Sequence, residues 1–182
     1  HMSRGLGDVY KRQIHLREDR RHINDKDAKR ICNLKNVLVN LEVSMNESII
    51  SNALRIKPNY ICIVPENRKE ITTEGGLNLQ KNFKKLKKII FKFKKAKIRT
   101  SLFINPSLKD IKISKSLGVD CIEIHTGNLS NKVKSKQKHN KELQRIKNSS
   151  KLANSLGIEV HAGHGLDCLL YTSPSPRDMW TS

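Results

Sequence analysis

LGVDCIEIHTG, Leu117–Gly127, returns in altered form as LGIEVHAGHG, Leu156–Gly165. Both stretches pass from a helix end to a glycine suited to a left-handed cap, then to an acidic residue, a short β-branched run and a His-x-Gly exit. A supersecondary unit repeated along the chain is the direct reading. Outward from this pair, comparable runs occur at Ile14–Leu16, Val37–Leu41, Tyr60–Val64 and Arg99–Ile104, joining Cys121–Ile124 and Glu159–His161. Most are apolar at nearly every position, as expected of parallel strands covered on both faces.

Helical patterns fill the intervals. Asn24 is placed to cap a helix from Asp25 with Asp27 in its first turn, and Asn46 to cap one that must stop before Pro58. Ser107 and Asp110 have capping-box spacing, and Gly118 stands where a C-terminal cap belongs. Between Lys81 and Lys97 the apolar residues Phe83, Leu86, Ile90 and Phe93 recur at helical spacing among lysines. This predicts a crossover helix with a solvated basic face. Strands alternating with helices leave two architectures, an open doubly wound sheet or part of an eight-stranded βα barrel. No GxGxxG follows the first strand and no GxxxxGK[ST] occurs, so the common nucleotide cradles of open sheets are missing.

The totals narrow the class. A chain of 182 residues, 36% hydrophobic, supports one domain with a substantial core. Cys32, Cys62, Cys121 and Cys168 are widely spaced with no CxxC pair, which fits reduced thiols in a cytoplasmic protein. No apolar run reaches the roughly 18 residues of a membrane span, and no signal-peptide core is seen. The net charge of +19 would attract polyanions, so a basic nucleic-acid-binding module is the alternative reading. With only 4% aromatic residues, however, stacking platforms for bases are few. Residues 1–13 and 169–182 read as tag- or adaptor-like ends carrying no site, which leaves 14–168 as the folded domain.

Candidate chemistry gathers at the strand ends. His15 and Arg17 follow the first run, Glu42 the second, and Glu66, Thr72 and Thr73 the third, with Glu123 on the fifth and His164 after the sixth. Converging, they would line a pocket of carboxylates, imidazoles and a guanidinium suited to stepwise proton transfer. HLREDRRHI (His15–Ile23) concentrates groups that fork onto phosphate or carboxylate oxygens. Arg17 and His22 are the expected ligand contacts, while Glu18 and Asp19 are expected to neutralise Arg20 and Arg21. ITTEGGL (Ile71–Leu77) offers hydroxyls and two glycines for close backbone approach to an anion. A metal is the rival use of His161 and His164 with His15 and His22, although alternate side chains at a strand end diverge.

IHLREDRRHI, NLEV, VPENRKEITTEGGL, SLFI, IEIHTG and AGHGL, in that order, resemble the pyridoxine 5′-phosphate synthase family across about residues 14–167. The resemblance implies a (β/α)8 TIM barrel, here truncated to about six βα units with the first and eighth strands absent. It implies a homo-oligomer that condenses 1-deoxy-D-xylulose 5-phosphate with 3-amino-2-oxopropyl phosphate, without a cofactor. It further implies His15 and Glu42 as proton acceptors, His164 as proton donor and Glu123 as a transition-state stabiliser. Arg17, His22 and Thr72 would hold the deoxyxylulose phosphate, and Gly165 would contact the amino ketone phosphate. The family's Asn-x-Asp-His strand and its Gly-His phosphate contact have no counterpart here, so weak turnover or none is expected of this chain.

Overall fold

The computed structural model describes residues 10–67 and 69–163. Among them, β1 (Tyr10–Leu16), β2 (Val37–Val43), β3 (Tyr60–Ile63), β4 (Arg99–Ile104), β5 (Cys121–His125) and β6 (Glu159–Gly163) form one sheet. The strands lie in sequence order, each parallel to the one before. The helices α1 (Asp25–Cys32), α2 (Glu47–Ile56), α3 (Leu79–Lys95), α4 (Leu108–Leu117), α5 (Gly127–Lys134) and α6 (Asn140–Ser155) complete the α/β pattern.

Strand order decides between the two architectures. A doubly wound sheet reverses its order at a switch point and carries helices on both faces. Here the order never reverses, and the helices share one face. Leu41, Val43, Ile61, Ile63, Leu102, Ile104, Ile122 and Ile124 pack in a single core with Ile49 and Ala53 of α2, Leu86, Ile90 and Phe93 of α3, Ile111 of α4, and Ile146 and Ala153 of α6. A second, small cluster of Cys62, Val64 and Phe103 lies on the opposite face. This is barrel winding, and the period-2 alternation of the strands aims their intervening residues inward.

That alternation revises several strand limits. β2 continues past Leu41 to Val43 because Glu42 pairs in register with both His15 and Cys62 while its side chain takes the inner face. β5 likewise takes in His125, and β6 runs on to Gly163. β1 begins at Tyr10, ahead of Ile14, and brings Gln13 into the sheet beside Asn40.

The caps form where expected. Asn24 accepts from the backbone N–H groups of Lys26 and Asp27, and Asp27 returns the bond to the Asn24 backbone in a full capping box. Asn46 accepts from the Ser48 N–H, and Gly118 closes α4 at φ 78°. The Ser107 bond to the Asp110 N–H is longer, at 3.4 Å. α3 buries Leu79, Leu86, Ile89, Ile90 and Phe93 and turns its lysines outward, as a crossover helix should. No helix among the described residues is long and apolar enough to cross a membrane.

Leu86 is fully buried and Phe91 is 58% exposed on the same helix. Leu86→Ala is expected to cost about 3 kcal/mol, whereas Phe91→Ala should stay within about 0.5 kcal/mol. Urea denaturation of the two variants checks whether α3 is seated by this one face.

Candidate active site

His15 is the centre of the polar inner face. Its Nδ1 lies 3.4 Å from Glu42 Oε2 and its Nε2 3.3 Å from Glu66 Oε1. The second contact is not aligned as a hydrogen bond, since Nε2 is buried without a bonded partner. The pairing follows from strand register: His15 and Glu42 are cross-strand neighbours on β1 and β2, and Glu66 follows β3. Glu66 is held in turn by the Glu18 backbone N–H at 3.1 Å.

His15, Arg17 and Glu42 line one cavity of about 370 Å³, together with Ile71, Gly75, Phe103 and His125. Glu123, on β5, is 4% exposed. Gln13 links the two carboxylates: its Nε2 donates to Glu42 Oε1 at 2.6 Å and to Glu123 Oε2 at 2.9 Å. A residue expected to carry no site thus ties β1, β2 and β5 together, and the signal for it was present in the alternation, two positions before His15. Cys62 is buried against the same acids. Its thiol is pushed well above the usual range by burial and by Glu123 and Glu42, which keeps it protonated and unreactive.

The loop after β3 closes the cavity. Ile71 bridges Leu77, and the Thr72 N–H donates to the Gly76 carbonyl at 2.8 Å. Thr72 Oγ1 accepts from Asn105 Nδ2 at 2.7 Å while Asn105 Oδ1 accepts from the Gly76 N–H at 2.9 Å. Asn105, at the end of β4, was not singled out in the sequence, yet it positions Thr72. Both glycines are required by close approach. A Cβ at Gly76 would lie 2.6 Å from the Asn105 nitrogen, and one at Gly75, where φ is 109°, would lie 2.9 Å from His125 Nε2. His125 meets Phe103 edge-on at a ring separation of 5.1 Å. Its place in IEIHTG, on the same side of β5 as Glu123, was the available clue.

The HLREDRRHI loop is wired differently from expectation. Arg20 pairs with Asp25 at 2.7 Å and donates to the carbonyls of Arg17 and Glu18, so it is structural as anticipated but through another acid. Glu18 instead accepts from Ser44 at 2.7 Å and from Asn46 at 3.3 Å. Asp19 takes Arg17 at 3.0 and 3.2 Å and Arg21 at 3.5 Å. Hydrogen bonds from Arg17 and the Arg21 backbone hold the Asp19 carboxyl at about 2. An anion using Arg17 must therefore compete with Asp19. His22 is exposed and apart from the described lining of the cavity. His164 and Gly165 lie outside the described residues, as does Cys168.

The metal reading takes a new form. Among the described residues, Cys121, Glu159 and His161 bring one donor atom each within 4.8 Å of one another, without His15 or His22. The place of a cation there is taken by Arg99, whose Nη2 lies 2.6 Å from Glu159 Oε2 and 3.6 Å from Cys121 Sγ. Burial alone would raise the Glu159 carboxyl, but hydrogen bonds from His161 and Arg99 bring it down to about 2.

The chain matches the family model described as pyridoxal phosphate biosynthesis protein PdxJ over residues 10–171. It is 60% identical over 154 residues to the pyridoxine 5′-phosphate synthase of Pelagibacter ubique (strain HTCC1062), covering 85% of this chain and 64% of that one. The protein of the same name from Aliarcobacter butzleri (strain RM4018) is 45% identical over 176 residues, covering 85% and 67%. That of Prochlorococcus marinus (strain MIT 9211) is 48% identical over 156 residues, covering 86% and 63%. The chain thus spans about two thirds of the length of the relatives it matches.

Two measurements test this geometry. Gly76→Ala forces its Cβ into β4 backbone and is expected to destabilise by about 2 kcal/mol, read by urea denaturation. Asp110 is pushed up to about 6, first by burial and then by nearby Glu74, against Lys109. A carboxyl raised on folding stabilises below its unfolded pKa, and that contribution is lost as the pH rises through about 6. Asp110→Asn should therefore melt close to the parent near pH 4 and a few degrees above it at pH 7.5 (on the order of 2–4 °C).

Proposed function

The chain belongs to the family described as pyridoxal phosphate biosynthesis protein PdxJ, and we propose that its cavity is the proton-transfer part of a pyridoxine 5′-phosphate synthase site. The proposed reaction condenses 1-deoxy-D-xylulose 5-phosphate with 3-amino-2-oxopropyl phosphate in the cytoplasm, giving pyridoxine 5′-phosphate, phosphate and water without a cofactor. The observation that carries the reading is His15 held between Glu42 and Glu66 on the wall of a half-open cavity. Joining the two substrates requires protons to leave carbon and nitrogen and to reach departing oxygens. A ring fixed between two carboxylates can take a proton and pass it on without moving.

The roles divide by position. His15 and Glu42 face the cavity and serve as proton acceptors, with His164 as the donor. Glu123, linked to Glu42 through Gln13, stabilises charge that develops deeper in the site. Thr72 and Arg17 hold the deoxyxylulose phosphate, with His22 joining from the β1–α1 loop and Gly165 meeting the amino ketone phosphate. Arg17 exchanges Asp19 for phosphate, a substitution of one charge-assisted pair by another. The reaction and its oligomeric assembly are those of the whole protein, and this chain alone is expected to turn over weakly or not at all.

Titration with 1-deoxy-D-xylulose 5-phosphate, followed by imidazole nuclear magnetic resonance, is expected to move the His15 signals saturably. Thr72→Val and Arg17→Met should each weaken that binding by about tenfold. Any trace of pyridoxine 5′-phosphate formed with both substrates should fall by roughly 10²–10⁴ in Glu42→Gln. An unmoved His15 signal at millimolar ligand, or turnover that survives Glu42→Gln, would sink the assignment.

A further inference from the structure

The loop that carries Thr72 is anchored on two sides by residues already described, Asn105 just after β4 and the His125 ring packed under Gly75. Its tip has a third anchor that belongs to neither the sheet nor the cavity. Arg145, on α6, directs Nη2 at both oxygens of Glu74, at 2.9 and 3.2 Å, and Nη1 at Glu142 Oε2, 3.0 Å away.

The two acids differ in what they require. Glu142 is 4% exposed, and its Oε1 has no bonded partner. Buried this way, the carboxylate needs Arg145 as its counter-charge, and losing that partner leaves an uncompensated buried anion. The guanidinium is thereby pinned to its own helix. Its planar fork then presents the other arm in a fixed direction, which a lysine could not do. Glu74, by contrast, is part-exposed on a loop between Thr73 and two glycines, where the backbone is closed by turn bonds and the Glu74 side chain reaches out to α6. An isolated exposed pair would contribute little, but here one partner is already immobilised, so the ordering cost falls on the loop alone.

We propose that Arg145 is a positioning residue that clamps the Glu74 tip and so sets Thr72 and Gly75 at the mouth of the cavity for a phosphorylated substrate. The substrate part of this proposal rests on the function inferred above; the clamp itself rests on the Arg145 geometry. Arg145 is not among the residues that line the cavity, and it acts through Glu74.

Three variants of the full chain, Arg145→Met, Arg145→Lys and Glu74→Gln, are compared by hydrogen exchange over residues 71–77 and by titration with 1-deoxy-D-xylulose 5-phosphate. Glu74→Gln alters only a part-exposed loop side chain and leaves the buried Glu142 its Arg145 partner, so it reports even if loss of that partner unfolds Arg145→Met. The expected result is loop exchange about tenfold faster in Arg145→Met and Glu74→Gln, with β4 and α6 amides unchanged and the dissociation constant raised about tenfold. Arg145→Lys should recover part of both effects. Unchanged loop exchange overturns the clamp, and faster exchange with unaltered affinity overturns the positioning role. If the parent chain binds no sugar phosphate, the function reading fails, and loop exchange alone decides the clamp, tenfold faster upholding it and unchanged overturning it.

Discussion

Consecutive parallel pairing with every helix on one face is the constraint from which the rest of the structure follows. Once the helices claim one side of the sheet, the strands must send their aliphatic residues there, as Leu41, Ile61, Leu102 and Ile122 do. The pleat then sends their neighbours to the other side without exception. His15, Glu42, Cys62, Phe103 and Glu123 have no alternative but to share the inner face. Among the described residues, Cys62, Val64 and Phe103 form only a small buried apolar cluster on that face.

Placing acids together in a poorly solvated interior would be costly if each were left alone. Neutral donors meet part of this cost. Gln13 satisfies Glu42 and Glu123 from a single amide nitrogen, and Glu66 takes a backbone N–H from Glu18. Two guanidinium groups stand at the two ends of the strands: Arg17 at the cavity edge, and Arg99 at the opposite end against Glu159. Glu42 therefore lines the cavity with a neutral amide, Gln13, on one oxygen and His15 beside the other. That arrangement lets protons move between Glu42 and His15, whereas a tight arginine pair would fix the charge.

The Thr72 loop shows how the outer layer reaches the site. Its backbone is closed by its own turn bonds, its inner edge by Asn105, and its tip by a helix that contributes nothing to the cavity. A loop lying over an open interior has few apolar contacts to order it, so polar anchors at separate points substitute for a core. Glycines at 75 and 76 allow the chain to lie against His125 and Asn105, and neither position tolerates a Cβ without displacement.

The sequence alone determined the βα repeat, the caps at Asn24, Asn46 and Gly118, the amphipathic seat of α3 and the strand-end gathering of His15, Glu42 and Glu123. These depend on local backbone preference and on periodicity, which are properties of short segments. It also carried the family, through motifs several residues long. Periodicity left barrel winding and a doubly wound sheet both open; the family motifs implied the barrel, and strand order, a relation among segments far apart in the chain, shows it directly. Only the tertiary structure decided the partners: Arg17 with Asp19 rather than free, Arg20 with Asp25, Gln13 between two acids and Arg145 on Glu74. A side chain's charge is written in its identity, but the counter-charge it meets is set by which distant surfaces the packed sheet and helices bring within 3 or 4 Å, roughly the reach of a hydrogen bond or ion pair.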